Sequence, residues 1–335
     1  MSQVVGKTRP SAPPAWQFLY EPIQEELAAA EELLRRELRN EDAFVDRLAK
    51  HAFRLGGKRL RPALLLLAGK ASGRLLPAHQ VLAAVVEMIH TATLVHDDVL
   101  DEAEIRRHTD TINARYGNEA SVLVGDYLFT HAFYLASTLE STYACRMIGE
   151  ATNTVCGGEL RQLATRGDFS LGEAEHLAIL EAKTAELCAC CCRLGAHYAE
   201  AAPEICDELA AYGREVGLAF QITDDLLDLV GDEQVAGKSL GTDLAKHRPT
   251  LPLIRCLELA SEAERRELLA LLDRPAAEGR AALAPWFQRF DALGYARQLA
   301  QDYAHRAAER LQALPASPAR EALHRVAVLL VDRAQ

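Results

Sequence analysis

Aspartate recurs at positions i, i+1 and i+4 twice in this 335-residue chain, as Asp97, Asp98 and Asp101 and again as Asp224, Asp225 and Asp228. Each triplet closes an apolar run without proline, Val85 to Val95 before the first and Val216 to Ile222 before the second, so both are expected on helices. Positions i and i+4 share a helix face, which brings the carboxylates of each triplet together. That is poor for stability, since like charges at this spacing cost roughly 0.2–0.5 kcal/mol per pair and carboxylates late in a helix oppose its dipole. A single run of this kind is explained by a solvated acidic face. Two copies in matching apolar context need cations. A carboxylate set without His or Cys suits a hard ion such as Mg²⁺, which takes one or two carboxylates and completes its shell with water and phosphate oxygens. The triplets read as two facing Mg²⁺-diphosphate clamps.

Basic residues follow at the places such clamps require. Gly56-Gly57-Lys58-Arg59-Leu60-Arg61-Pro62 is a turn that lets backbone approach a ligand, followed by three cations that can hold phosphate oxygens; the plain alternative is a helix-start loop with solvated charges. Arg106 and Arg107 come within two turns of the first triplet, where they could neutralise a bound phosphate or simply pair with Glu102 or Glu104. Lys183 and Thr184 sit in the middle of a predicted helix ending near Tyr198, where a lysine is ordinarily a snorkelling surface residue. After the second triplet come Gly237-Lys238-Ser239-Leu240-Gly241-Thr242-Asp243 and Lys246-His247-Arg248-Pro249.

The elements that must position these residues are helical. Hydrophobic residues make up 49% of the chain and Ala, Leu, Glu and Arg dominate while alternating β-branched runs are scarce, so the fold class is all-α. Residues 1–15, with Pro10, Pro13 and Pro14, read as a flexible tail, and residues 16–335 as one domain without a linker. Helices are expected over about Trp16–Arg39, Glu41–Phe53, Ala63–Lys70, Glu119–Thr138, Ala144–Ala164 and Glu173–Tyr198, with breaks near Pro275, Pro285 and Pro315. A net charge of −11 argues against nucleic acid. Apolar runs such as Ala63–Ala68 fall far short of the roughly 18 residues that span a bilayer, so the expected setting is soluble and cytoplasmic with no transmembrane segment. The cluster Cys188, Cys190, Cys191 and Cys192 fits no zinc spacing and reads as small apolar packing.

Taken in order, GGKRLRP, HTATLVHDDVLDEAEIRR, GDYL, KTAE, FQITDDLLD, GKSLGTD and TLP, between Leu55 and Pro252, resemble the trans-isoprenyl diphosphate synthases, the polyprenyl synthetase family, and look closest to its medium- and long-chain, octaprenyl-type members. The resemblance implies a single-domain isoprenoid-synthase helical bundle around a deep central cavity, acting as a homodimer. It implies Mg²⁺-dependent head-to-tail condensation of isopentenyl diphosphate onto an allylic diphosphate. By the same resemblance Asp97, Asp98 and Asp101 hold two Mg²⁺, and Asp224 with Asp228 a third; the catalytic set includes Asp225 and Lys183. Arg106, Lys183 and Lys238, assisted by Thr184 and Gln221, contact the allylic diphosphate. Lys58, Arg61, His90 and Arg107 bind isopentenyl diphosphate. Two departures stand out: His108 follows the Arg pair where the family usually has Gly, and His247-Arg248 precedes Pro249 where it usually has Gly-Lys, which leaves Arg248 as the substitute phosphate contact. Small residues at Ala92 and Thr93, where short-chain relatives carry bulky aromatics, imply a product beyond fifteen carbons, with a cavity floor at Phe133 or Tyr134. The competing readings are a terpene cyclase, which needs no isopentenyl site, and a non-catalytic subunit of a heteromeric synthase, from which loss of an Asp triplet is expected.

Overall fold

The computed structural model describes residues 19–54, 57–230 and 241–332. The expected tail, residues 1–15, and Lys238 lie outside them. Within the described residues the chain forms helices α1 (Gln24–Glu37), α2 (Ala43–Arg54), α3 (Leu60–Ala71), α4 (Pro77–Leu100), α5 (Ile112–Tyr116), α6 (Asn118–Ser137), α7 (Tyr143–Ala164) and α8 (Glu173–Leu180). Then come α9 (Glu186–Tyr198), α10 (Pro203–Val230), α11 (Thr242–Ala245), α12 (Leu251–Leu259), α13 (Glu262–Leu272), α14 (Ala276–Arg289), α15 (Ala292–Arg310) and α16 (Pro318–Asp332). The described strands are a two-residue pair, β1 (Ile105–Arg106) and β2 (Thr109–Asp110), antiparallel.

Helix α3 is the axis of the fold. Every residue from Ala63 to Ala68 is fully buried, because α4, α9 and α16 pack around it. Gly195 of α9 permits one of these approaches, since a side chain there would strike the backbone carbonyl of Leu65. Helix α4 then packs on α1 and α6, and α10 on α9 and α15, so the two triplet-bearing helices flank α3 and α9. A separate apolar cluster of Leu229, Leu244, Leu253, Cys256, Leu268, Leu283 and Phe287 seats α11 to α14 against the end of α10.

Three expectations change. Helix α4 is 24 residues long, with a mean hydropathy of 1.3 over its most apolar window, so by length and composition it could cross a membrane; 67% of that window is buried inside the fold, as a core helix requires. Pro285 does not break a helix but lies inside α14. The helix expected to run unbroken to Tyr198 is interrupted at Glu181–Ala185 by one π-helical turn. Cys188, Cys190, Cys191 and Cys192 are at most 5% exposed in the α9 core, and burial pushes their thiols up, to about 12 for Cys190. They serve as small apolar side chains.

Candidate active site

Pro77 at the first position of α4 has no N–H to leave unpaired, and the helix then runs without Gly or Pro to Leu100. It stops because Glu102 turns left-handed at φ 50°, letting the amide of Ala103 donate to the carbonyl of Asp98 and that of Glu102 to Val99. Asp97 and Asp98 thus occupy its last turn and Asp101 caps it. The chain returns through the β1–β2 hairpin, whose two-residue loop is Arg107-His108, both left-handed at φ 51° and 61°. Two such residues in a two-residue loop match the twist of the flanking strands. His108 therefore stands at a position where glycine is the natural choice, and histidine is among the side chains that adopt it more readily.

Cations reach the first triplet both from the hairpin after it and from the segment that follows the second triplet. Arg106 does not pair with Glu102 or Glu104: its Nε donates to Asp98 Oδ1 at 2.8 Å. Lys246 and Arg248 both reach Asp101 Oδ1, at 2.6 and 2.7 Å. Asp98 is 1% exposed, and burial raises its pKa despite Arg106; its Oδ2 has no partner. Burial, with Glu159 nearby, raises Asp97 to about 6. Asp101 goes the other way: burial pushes it up, but the hydrogen bond from Lys246 and the Arg248 charge outweigh that and hold it below the usual carboxylate range.

The second triplet lies in the last two turns of α10. Asp228 accepts from Thr242 Oγ1 at 3.0 Å and from the amide of Asp243 at 3.2 Å, and its own carbonyl accepts from Gly241 N at 2.9 Å. Asp225 is turned instead toward Gln221, whose Nε2 donates to it at 2.8 Å, and burial together with Asp243 raises its pKa well above the usual value. Gln221 in turn accepts from Thr184 Oγ1 at 2.9 Å. Asp225 is thus a positioning group for the Gln221–Thr184 pair. Lys183 is not a snorkelling residue: its Nζ bonds Glu159 Oε1 at 2.9 Å and Gln162 at 2.9 Å. The π-turn presents Lys183 and Thr184 together, a distortion that often marks functional positions.

Arg61 and Arg107 gather with Arg59 around Glu87 and His90 of α4. Arg61 Nη1 lies 3.1 Å from His90 Nε2. Burial, then the charges of Arg61, Arg107, Arg106 and Arg59, lower the His90 pKa far below the usual value, so His90 is neutral and accepts from Arg61. Burial and the Arg106 charge likewise depress Arg107. Lys58, next to Arg59 in the sequence, is exposed. Gly57 packs directly on the Arg107 guanidinium, into which a Cβ would project. Arg59, left-handed at φ 54°, pairs with Glu31 at 3.0 Å and with buried Glu87, and stacks on Phe53 at 4.2 Å. Glu87 is the residue that sequence reasoning missed; the signal was a carboxylate in an otherwise apolar helix.

Several guanidinium groups converging on a neutral imidazole, with Arg61 Nε buried and unpartnered, are suited to an anion. At the triplets, the unpartnered Asp98 Oδ2 and the all-oxygen donor set fit a hard divalent ion. No three Asp, Glu, His or Cys side chains among the described residues form a ready ligand set, so such an ion needs water or phosphate oxygens as well. Of the proposed cavity floor, Phe133 packs on the core and on Phe129 at 5.2 Å between ring centres, whereas Tyr134 is 64% exposed and is not a floor of this chain's own interior.

A sequence model described as Polyprenyl synthetase matches residues 42–284. The octaprenyl diphosphate synthase of Escherichia coli (strain K12) is 36% identical over 92% of this chain and 96% of its own length. The all-trans-nonaprenyl-diphosphate synthase (geranyl-diphosphate specific) of Rhodobacter capsulatus is also 36% identical, over 95% of this chain and 98% of its own. A solved polyprenyl synthase of Caulobacter crescentus CB15, complexed with calcium and isoprenyl diphosphate, superposes with a TM-score of 0.89 at 35% identity, covering 97% of this chain and 100% of that one.

Proposed function

Since the chain belongs to the polyprenyl synthetase family and is a trans-polyprenyl diphosphate synthase, a prenyltransferase, we propose a role for each residue of the site in condensing isopentenyl diphosphate with an allylic diphosphate. Asp97, Asp98 and Asp101 hold two Mg²⁺ and Asp224 with Asp228 a third. When bound, Mg²⁺ stabilises the negative charge that develops on the departing diphosphate. Arg106, Lys183 and Arg248 bind the allylic diphosphate, with Thr184 and Gln221 fixed by Asp225; Lys238, which lies outside the described residues, is assigned the same role by the family resemblance. Lys58, Arg61, His90 and Arg107 hold isopentenyl diphosphate. The cations lower the barrier to breaking the allylic C–O bond, the alkene of isopentenyl diphosphate attacks the resulting allylic cation, and the proton lost in restoring the double bond passes to the released diphosphate. Apolar walls keep water from the cation.

The observation that carries this assignment is the pairing of two sites of opposite sign: the first triplet, where Arg106, Lys246 and Arg248 meet Asp98 and Asp101, and the group of Arg59, Arg61, Arg106 and Arg107 whose charges converge on His90. The arginine site also separates this reading from a cyclase, which needs no second anion. A product longer than fifteen carbons is supported by the octaprenyl and nonaprenyl relatives and by the small side chains of Ala92 and Thr93, with Phe133 as the floor. A homodimer through α6 is supported by Leu123 and Tyr134, three turns apart on one face and 67% and 64% exposed. One domain over residues 16–335 is supported by the packing of α15 on both α10 and α12. A cytoplasmic setting is supported by eight free thiols, the state a reducing compartment maintains.

The test is a product assay with Mg²⁺, radiolabelled isopentenyl diphosphate and farnesyl diphosphate, resolved by chain length. A ladder ending above fifteen carbons is expected, lost on chelation and reduced at least ~100-fold by Asp97→Ala, with longer products from Phe133→Ala. No label in any prenyl chain from any allylic primer would overturn it.

A further inference from the structure

The four-residue helix α11 bridges the two triplets. At its start Thr242 and the Asp243 amide hold Asp228; just past its end Lys246 and Arg248 converge on a single oxygen, Asp101 Oδ1, at 2.6 and 2.7 Å. Arg248 is also 3.7 Å from Asp243. The charge of Lys246 reaches Asp98 as well as Asp101. Lys246 and Asp101 are each about three-quarters shielded from solvent, so their attraction is screened less than that of a surface pair. The sequence sets Lys246 among the cations that follow the second triplet, whereas in the fold it reaches the first.

We propose that Lys246 is a resident cation of the first clamp: it occupies Asp101 in the empty protein and moves onto diphosphate oxygens when metal and diphosphate arrive together. This rests on the metal-clamp reading of Asp97, Asp98 and Asp101. A divalent ion entering without diphosphate must displace a cation that has nowhere favourable to go, whereas one entering with diphosphate gives that cation a better partner. Lys246 thereby opposes binding of bare metal and favours binding of the metal-diphosphate pair. Arg248 shares the oxygen but also faces Asp243 at 3.7 Å, which leaves Lys246 as the group that can transfer.

The experiment is a pair of titrations on the full chain, compared among wild type, Lys246→Ala and Lys246→Arg. Mn²⁺ binding without diphosphate is followed by the electron paramagnetic resonance of free Mn²⁺; inorganic pyrophosphate binding in excess Mg²⁺ is followed by calorimetry. Lys246→Ala is expected to tighten Mn²⁺ binding and to weaken pyrophosphate binding, each by roughly threefold to tenfold, with Lys246→Arg close to wild type in both. Mn²⁺ affinity unchanged or weakened in Lys246→Ala, or pyrophosphate affinity unchanged, overturns the proposal. Neither titration depends on turnover, so a wild-type protein that elongates no prenyl chain would sink the synthase assignment while leaving this question decided.

Discussion

At the scale of single residues, the site depends on places where a side chain is missing. Gly57 has none, and the Arg107 guanidinium lies in the space a Cβ would take. Because the clash is with the far end of a flexible side chain, Gly57→Ala should move unfolding by less than about 1 kcal/mol while raising KM for isopentenyl diphosphate about tenfold. Denaturant unfolding and steady-state kinetics on one preparation check this, and a loss of stability with unchanged KM would refute it. The triplets and the arginine pair stand out by residue type and spacing, whereas Lys183 reads as a snorkelling residue and is marked only by the family resemblance. The partners were not legible: spacing leaves Arg106 open between a bound phosphate and Glu102 or Glu104, and in the fold it takes Asp98, because the hairpin turns the chain back over the end of α4. Nor did spacing reveal why His108 and His247 are tolerated. Both adopt left-handed backbone, at φ 61° and 51°, in loops that a glycine would otherwise serve.

At the scale of elements, the π-turn between α8 and α9 is wedged by glycines from two neighbours. A Cβ on Gly158 of α7 would lie 2.8 Å from the Lys183 amide nitrogen, and one on Gly217 of α10 would lie 2.5 Å from Ala185 Cα. Here the obstacle is backbone, which cannot swing aside. Gly217→Ala is therefore expected to cost about 1–3 kcal/mol, even though alanine alone favours a helix by roughly 1 kcal/mol over glycine. Gly149→Ala, in α7 with open space around it, should stabilise by about 0.5–1 kcal/mol. Urea midpoints of the two variants, shifted in opposite directions, check the argument; two shifts of the same sign would refute it. Helices such as α6 and α7 were legible from periodicity to within a residue or two, whereas α1 begins at Gln24 rather than near Trp16; the π-turn was not legible, because it arises from neighbours on α7 and α10 rather than from local pattern.

At the scale of the whole molecule, the all-α class followed from composition, while the pH response of the fold needs the structure. His176 of α8 is 4% exposed with Nε2 unpartnered, and burial lowers its pKa to about 4 from 6.5. Between those values the unfolded chain binds a proton that the folded chain refuses. Stability from this group is thus intact above pH 6.5 and falls as pH drops toward 4, by on the order of 1.4 kcal/mol per pH unit. His176→Leu should flatten the dependence of Tm on pH in that window; parallel profiles for the variant and wild type would refute it. Buried Asp97, Asp98 and Asp225 act with the opposite sign, since burial raises their pKa and stabilises the fold on the acid side, so the comparison with the variant is what isolates His176.

The buried thiols around α9 also make the chain its own clock. Cys156 on α7 is exposed, whereas Cys188, Cys190, Cys191 and Cys192 are sealed among α3, α9 and α10 with their thiolates suppressed by burial. An alkylating reagent that reads the accessible sulfurs and then waits is timing the opening of the helices packed around α9. Labelling with and without a long prenyl diphosphate then measures whether those helices open less once a hydrocarbon is bound.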